Sequence, residues 1–273
     1  EREYVVLETG ELKQMKEKSL TRGENVRYLK NSLARLSKLI DFNISKYSAT
    51  LNFTLTYAEN MTDTKRLYKD FEKFWKRLVY RFGLDACSDY IIACEPQSRG
   101  AWHIHCILFQ RTKTFIHWQE LKEIWGHGMI DVDKRNDDLD SVGKYLTAYL
   151  SDVRLEELGE FLENATDEQR HATFELSNNL CFHVDRKGEH QIIKGVRMLF
   201  YPARFRFFRW SKGIQQPKEI KRTLTKQQAL QMYGSCISAN HWEIGTEKGT
   251  VVTERFIFKK KVNSKFKENI LEI

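Results

Sequence analysis

The chain is short of the residues that staple a small fold together or keep a segment from folding. Only three of its 273 residues are proline, while 12% are aromatic, which excludes an intrinsically disordered chain. Its five cysteines (Cys87, Cys94, Cys106, Cys181, Cys236) are odd in number and show no C-x-x-C spacing. That argues against a disulfide framework and a structural zinc site, so free buried thiols in a reducing compartment are expected. No apolar run reaches the roughly 18 residues a membrane helix needs, and no signal-peptide pattern opens the sequence, so a cytoplasmic location is expected. A Gly-rich phosphate loop of the Walker type is missing, which sets aside a fused helicase. Internal repeats and low-complexity linkers are absent too.

What is abundant is charge, and it is lumpy. The formal net charge is +8, which points to a polyanionic partner without naming one. From Lys13 to Lys46 there are nine basic and three acidic residues, and Val26, Leu29, Leu33, Leu36 and Ile40 recur at helical spacing, the pattern of a basic amphipathic helix. From Asp152 to Asp185 nine acidic residues face two basic ones; from Arg186 to Lys226 twelve basic face two acidic. The last block interleaves rings and cations in Phe200-Tyr-Pro-Ala-Arg-Phe-Arg-Phe-Phe-Arg-Trp210, which reads as a strand offering cations to phosphates and rings to bases or to the core. If the fold brings the two basic blocks to one rim, they line a path for a DNA strand, and the acidic stretch points away.

Periodicity predicts helices over 12–19, 23–41, 63–82, 117–125 and 138–152, strands over 50–57, 88–95, 101–109 and 128–133, and an acidic helical stretch over 154–177. A strand-rich region over 180–211, a helix near 225–232 and a hairpin over 236–259 follow. The fold class is α+β with a central antiparallel sheet and flanking helices. Three regions are expected: an N-terminal helical segment, 1–45; a central domain, 46–218; and a helix-hairpin extension, 219–273.

Chemistry concentrates in the middle. In Ala101-Trp-His-Ile-His-Cys-Ile-Leu-Phe109, Trp102, Ile104, Cys106 and Leu108 share one face of a strand, and His103 and His105 project together from the other. The preceding strand ends at Glu95, and a turn-like Pro96-Gln-Ser-Arg-Gly100 sets that carboxylate opposite the histidine pair. Two imidazoles and one carboxylate suit a hard or borderline divalent ion such as Mn²⁺ or Mg²⁺. Tyr145 and Tyr149, four apart on a predicted helix, share a face. Beside a metal-bound phosphodiester such a tyrosine can act as a nucleophile; alone, the pair reads equally as half-buried packing. His127, between Gly126 and Gly128, reads as structural.

The order of these motifs resembles the HUH endonuclease superfamily, specifically the rolling-circle replication initiators of small plasmids, integrative elements and bacteriophages. The resemblance rests on Phe53-Thr-Leu-Thr-Tyr57, Glu95 before His103-Ile-His105, Arg99-Gly-Ala101 in the turn, Trp125-Gly-His-Gly128 and the double-tyrosine helix, and it covers about 20–215. It implies a sheet of the RRM or palm type, Glu95, His103 and His105 as ligands of Mn²⁺ or Mg²⁺, and either Tyr145 or Tyr149 as the nucleophile that attacks single-stranded origin DNA. Tyr145 is the first choice, with Tyr149 as a second nucleophile for strand closure. Arg99, Lys144, Arg204, Arg206, Arg209 and Lys212 are the expected DNA contacts, and a host polymerase and helicase the expected partners in a bacterial cytoplasm. Such initiators usually carry a lysine three residues after each tyrosine, where this chain has Ala148 and Asp152. A transposase or relaxase of the same superfamily, or a non-catalytic DNA-binding protein on the same sheet, are the alternatives.

Overall fold

A computed structural model describes residues 3–14, 26–133, 142–178, 183–184, 191–202, 204–217, 227–228, 236–246 and 249–258. In chain order the elements are β1 (Glu3–Val5), β2 (Leu12–Gln14), α1 (Val26–Ile44), β3 (Ala49–Thr56), α2 (Thr64–Ala86), β4 (Asp89–Pro96), β5 (Trp102–Gln110), α3 (Trp118–Trp125) and β6 (Ile130–Val132). They continue with α4 (Val142–Ser151), β7 (Val153–Arg154), α5 (Leu155–Glu163), α6 (Asp167–Asn178), β8 (His183–Val184), β9 (Gln191–Ile193), a 3-10 turn (Val196–Phe200), β10 (Phe208–Trp210), β11 (Cys236–Thr246) and β12 (Gly249–Phe258).

Five strands form an antiparallel sheet in the order β10-β4-β5-β3-β6, the α+β architecture the pattern predicts. Alternation fixes the two faces. Phe53, Leu55, Ile104, Cys106, Leu108 and Ile92 point to one side, where α2 and α3 cover them. Rings interlock there: Phe53 and Trp125 both meet Phe74 edge-on, at centroid distances of 6.0 and 5.8 Å. Helix α2 presents Leu67, Phe71, Phe74 and Leu78 at helical spacing to this layer, and Asp63 caps its first turn by accepting from Lys65 N at 2.7 Å and Arg66 N at 3.3 Å. Cys87, Cys94 and Cys106 are buried free thiols, as expected.

The opposite face carries Glu95, His103 and His105. Leu36, Leu39 and Ile40 of α1 and Leu146 and Leu150 of α4 are buried in the same core, and α4 lies against α1 and β4. The basic N-terminal helix therefore shares the core of the central sheet. Two compact units emerge, 1–217 and 218–273, and the second contains the antiparallel hairpin β11–β12.

Three expectations change. Leu12–Gln14 pairs with β1 as a strand instead of opening a helix; the remainder of 12–19 lies outside the described residues. The aromatic-basic run is not one strand: it is a 3-10 turn, then an irregular stretch containing Pro202 and the left-handed Arg204 (φ 62°), with strand geometry only from Phe208. Proline removes a ladder donor and a positive φ breaks extended backbone, so the alternation of Arg204 and Arg206 is not that of a strand. Finally, acidic α5 does not point away from the sheet's functional face. Glu157 accepts from Arg197 at 3.4 Å, and Asn164 Nδ2 donates to Ser98 O at 3.2 Å in the β4–β5 turn.

Candidate active site on the central sheet

Register assembles the site. Glu95 of β4 is the direct cross-strand partner of His103 on β5, and His103 is that of Thr56 on β3. One row further along stand Ala93, His105 and Thr54. Antiparallel pairing thus brings residues from three strands onto one face, within reach of one another. His105 Nε2 meets Glu95 Oε2 in a short hydrogen bond. Thr54 Oγ1 lies 3.0 Å from His105 Nδ1, and Thr56 Oγ1 lies 3.1 Å from His103 Nε2. A hydroxyl both donates and accepts, so each threonine holds its ring in either tautomer.

Glu95 is only 6% exposed, and Arg197, equally buried, pairs with its Oε1. Burial alone would raise the Glu95 pKa, but the Arg197 guanidinium and the two imidazoles outweigh it and hold the carboxyl below the ordinary range. Burial pushes His103 down to about 4, with His105, Arg99 and Arg197 adding to the effect against Glu95. At neutral pH His103 is therefore an uncharged imidazole, the form that binds metals.

Two imidazoles and one carboxylate suit a divalent ion, and the threonines supply the hydrogen bonds that orient imidazole ligands. As they stand, however, the donors are turned on one another: Glu95 is shared by His105 and Arg197, and the two histidine rings lie 6.5 Å apart at 86°. Among the described residues no three His, Cys, Asp or Glu side chains stand arranged to hold an ion. The residues fit a metal in kind, and binding requires it to take the place of these internal bonds.

Tyr145 and Tyr149 lie one turn apart on α4, the helix that packs against β4. Their side chains and that of Lys144 lie outside the described residues. Two glycines set this neighbourhood by close approach. A Cβ at Gly143 would sit 2.6 Å from Ser37 O of α1, and one at Gly128 only 2.3 Å from Thr56 O at the end of β3.

Residues 50–154 match the family of the replication-associated protein ORF2. This is a family of rolling-circle replication initiators, the class that the motif order resembles. The match spans β3 to β7 and so contains Glu95, His103, His105 and both tyrosines, and it supports a role in replication with DNA as partner. No curated protein and no solved structure gives a significant match. No helix among the described residues is long and apolar enough to cross a membrane.

The expected DNA contacts separate. Arg99, in the β4–β5 turn, donates to Tyr57 O at 2.8 Å and lies close enough to His103 to depress its pKa. Arg204, Arg206 and Lys212 are exposed. Arg209 is paired with Ile92, so register sends it to the opposite face, where its guanidinium carbon lies 3.3 Å from the centre of the Tyr68 ring on α2. His127 packs 4.9 Å from Trp125 and 5.7 Å from Tyr57, a structural setting. Sequence reasoning missed Arg197. It lies inside a block of twelve basic residues, and nothing local distinguishes the one that is buried.

Proposed function

We propose that the protein initiates rolling-circle replication by nicking and transferring a DNA strand through a tyrosine of α4. The observation that carries this reading is the row Glu95–His103–Thr56, with His105 one row on, in a sheet whose strand β4 packs against the double-tyrosine helix. Glu95, His103 and His105 would hold a divalent ion, Mn²⁺ or Mg²⁺, which when bound supplies positive charge to a non-bridging phosphate oxygen.

The remaining work belongs to the chain itself. Single-stranded origin DNA lies along the sheet, with Arg99, Lys144, Arg204, Arg206 and Lys212 as its contacts. Tyr145, or Tyr149, loses its proton and attacks phosphorus. A tyrosyl O–P bond forms, the P–O3′ bond breaks, and the departing O3′ takes a proton. The 5′ end remains on the protein as a phosphotyrosine, and the 3′-hydroxyl primes a host polymerase while a host helicase opens the duplex. Because the phosphotyrosine conserves the bond energy, no ATP is needed. The second tyrosine cleaves at the end of the displaced strand, and the 3′-hydroxyl so freed attacks the first phosphotyrosine, forming the O3′–P bond and releasing the first tyrosine.

The test is incubation with Mn²⁺ and a pool of random-sequence single-stranded oligonucleotides, followed by denaturing electrophoresis. A covalent adduct is expected from the natural chain and none from the Tyr145→Phe/Tyr149→Phe double variant; an adduct that persists in the double variant sinks the proposal. The inward-turned bonds of Glu95 and His105 favour one other reading, a non-catalytic DNA-binding protein on the same sheet. Mn²⁺ binding without any adduct would establish that reading instead. Joining of paired ends by the adduct would identify a transposase.

A further inference from the structure

Helix α4 ends with carbonyls that no intrahelical N–H can reach, as every helix does. Here two side chains of one short segment, 196–201, reach Leu150 O in the helix's last turn and Asp152 O just beyond it. Arg197 Nε donates to Asp152 O at 3.0 Å, and Tyr201 Oη donates to Leu150 O at 3.2 Å. The same two side chains hold the end of β4. Tyr201 Oη also lies 2.9 Å from Cys94 O, Arg197 donates to Pro96 O at 3.0 Å, and its guanidinium pairs with Glu95 between them. Arg197 Nη2 reaches Glu157 Oε2 at 3.4 Å, and the guanidinium carbon lies 5.2 Å from the Phe161 ring centre.

A guanidinium this buried is costly unless its donors are met, and one satisfied by both a candidate metal carboxylate and the tyrosine helix fixes the distance between them. Burial keeps the Tyr201 phenol protonated, so it remains a donor. Both residues lie beyond position 154, outside the stretch that matches the replication family.

Resting on the tyrosine reading above, we propose that Arg197 and Tyr201 form a clasp that sets the tyrosine helix against Glu95. Arg197 is a positioning residue: it occupies Oε1 of Glu95, leaves Oε2 for the site, and ties the strand to the last turn of α4. Such a clasp governs the chemical step and leaves DNA binding alone, because misplacing a reacting group by an ångström costs as much as a hundredfold in rate.

The experiment compares the natural chain with Arg197→Met and Tyr201→Phe. Adduct formation is timed on an oligonucleotide recovered from the pool, Mn²⁺ affinity is measured by calorimetry, and amide exchange is followed across 146–152 without DNA. In Arg197→Met the rate at saturating Mn²⁺ and oligonucleotide is expected to fall at least about tenfold with KM unchanged, and Mn²⁺ affinity to weaken about tenfold. Exchange across 146–152 accelerates. Tyr201→Phe keeps the ring and touches only backbone carbonyls, so its rate falls severalfold and its exchange rises while Mn²⁺ affinity stays put. Folded variants with natural saturated rates and natural exchange would overturn the clasp. If Arg197→Met does not fold, Tyr201→Phe alone decides. If the natural chain forms no adduct, the tyrosine reading fails by itself, and exchange and calorimetry still judge the clasp.

Discussion

Asp152 follows the tyrosine helix with a partly buried carboxylate, at a position where rolling-circle initiators usually carry lysine. Burial raises its pKa, against the bonds its Oδ1 accepts from Ser151 Oγ at 2.6 Å and Gly195 N at 3.3 Å. With a folded pKa above the unfolded one, ionisation works against the fold, and this opposition fades as pH falls through the folded value. Asp152→Asn keeps an acceptor for both bonds and removes the charge. It is expected to be more stable than the natural chain at pH 7, with the gain shrinking toward pH 4, as denaturant midpoints would record. A variant less stable at pH 7 would mean that the neighbouring cations make the carboxylate favourable after all. At this scale the sequence was most informative where chemistry follows the period of a strand. His103 and His105 two apart, with Glu95 across a turn, could be placed on one face from spacing alone, and the register pairs them. Arg197 could not be placed, since its role depends on being buried next to a residue far away in the chain.

Elements with strong periodicity were legible for a similar reason. The apolar stripes of α1, α2 and α3 and the alternation of β4 and β5 encode their burial locally, and the boundaries fall within a few residues of expectation. Short strands such as β2, β7 and β9 carry no such code; three or fewer residues become strands only because a partner lies beside them. The meeting of α1 and α4 was also invisible, although it positions the tyrosine helix. Gly143 donates its N–H to Asp41 Oδ1 at 3.2 Å, and a Cβ there would lie 2.7 Å from Ser37 Cα, contact with backbone that cannot step aside. Gly143→Ala is expected to cost about 1–3 kcal/mol as α4 is pushed outward. Gly159, inside α5, is the control: nothing lies within 4 Å of its added Cβ, so Gly159→Ala is expected to gain about 0.5–1 kcal/mol from helix propensity. Denaturant unfolding of the two variants tests both signs, and equal effects would deny the close approach.

For the whole molecule the question is which cations DNA meets. The two basic blocks do touch: Asn43 Nδ2 donates to Gln215 O at 2.8 Å, Gln215 N returns a bond to Asn43 Oδ1 at 3.0 Å, and Arg35 reaches Gln216 at 3.0 Å. That contact agrees with one continuous basic rim, but α5 brings acidic groups close to the functional face, so net charge cannot say where the strand runs. Salt dependence can. Each phosphate neutralised on a single strand contributes about 0.7 to the slope of log affinity against log salt. Replacing Arg204, Arg206 and Lys212 together by alanine should therefore lower the slope by about 2 if all three touch phosphate, read by anisotropy on labelled oligothymidylate. Arg209→Ala should leave the slope alone, because its guanidinium lies over Tyr68 on the other side of the sheet. The reverse outcome would move the DNA to the α2 side, where Lys65, Lys69, Lys73 and Lys76 are exposed along one helix, and would separate strand binding from the face that carries Glu95 and the histidines.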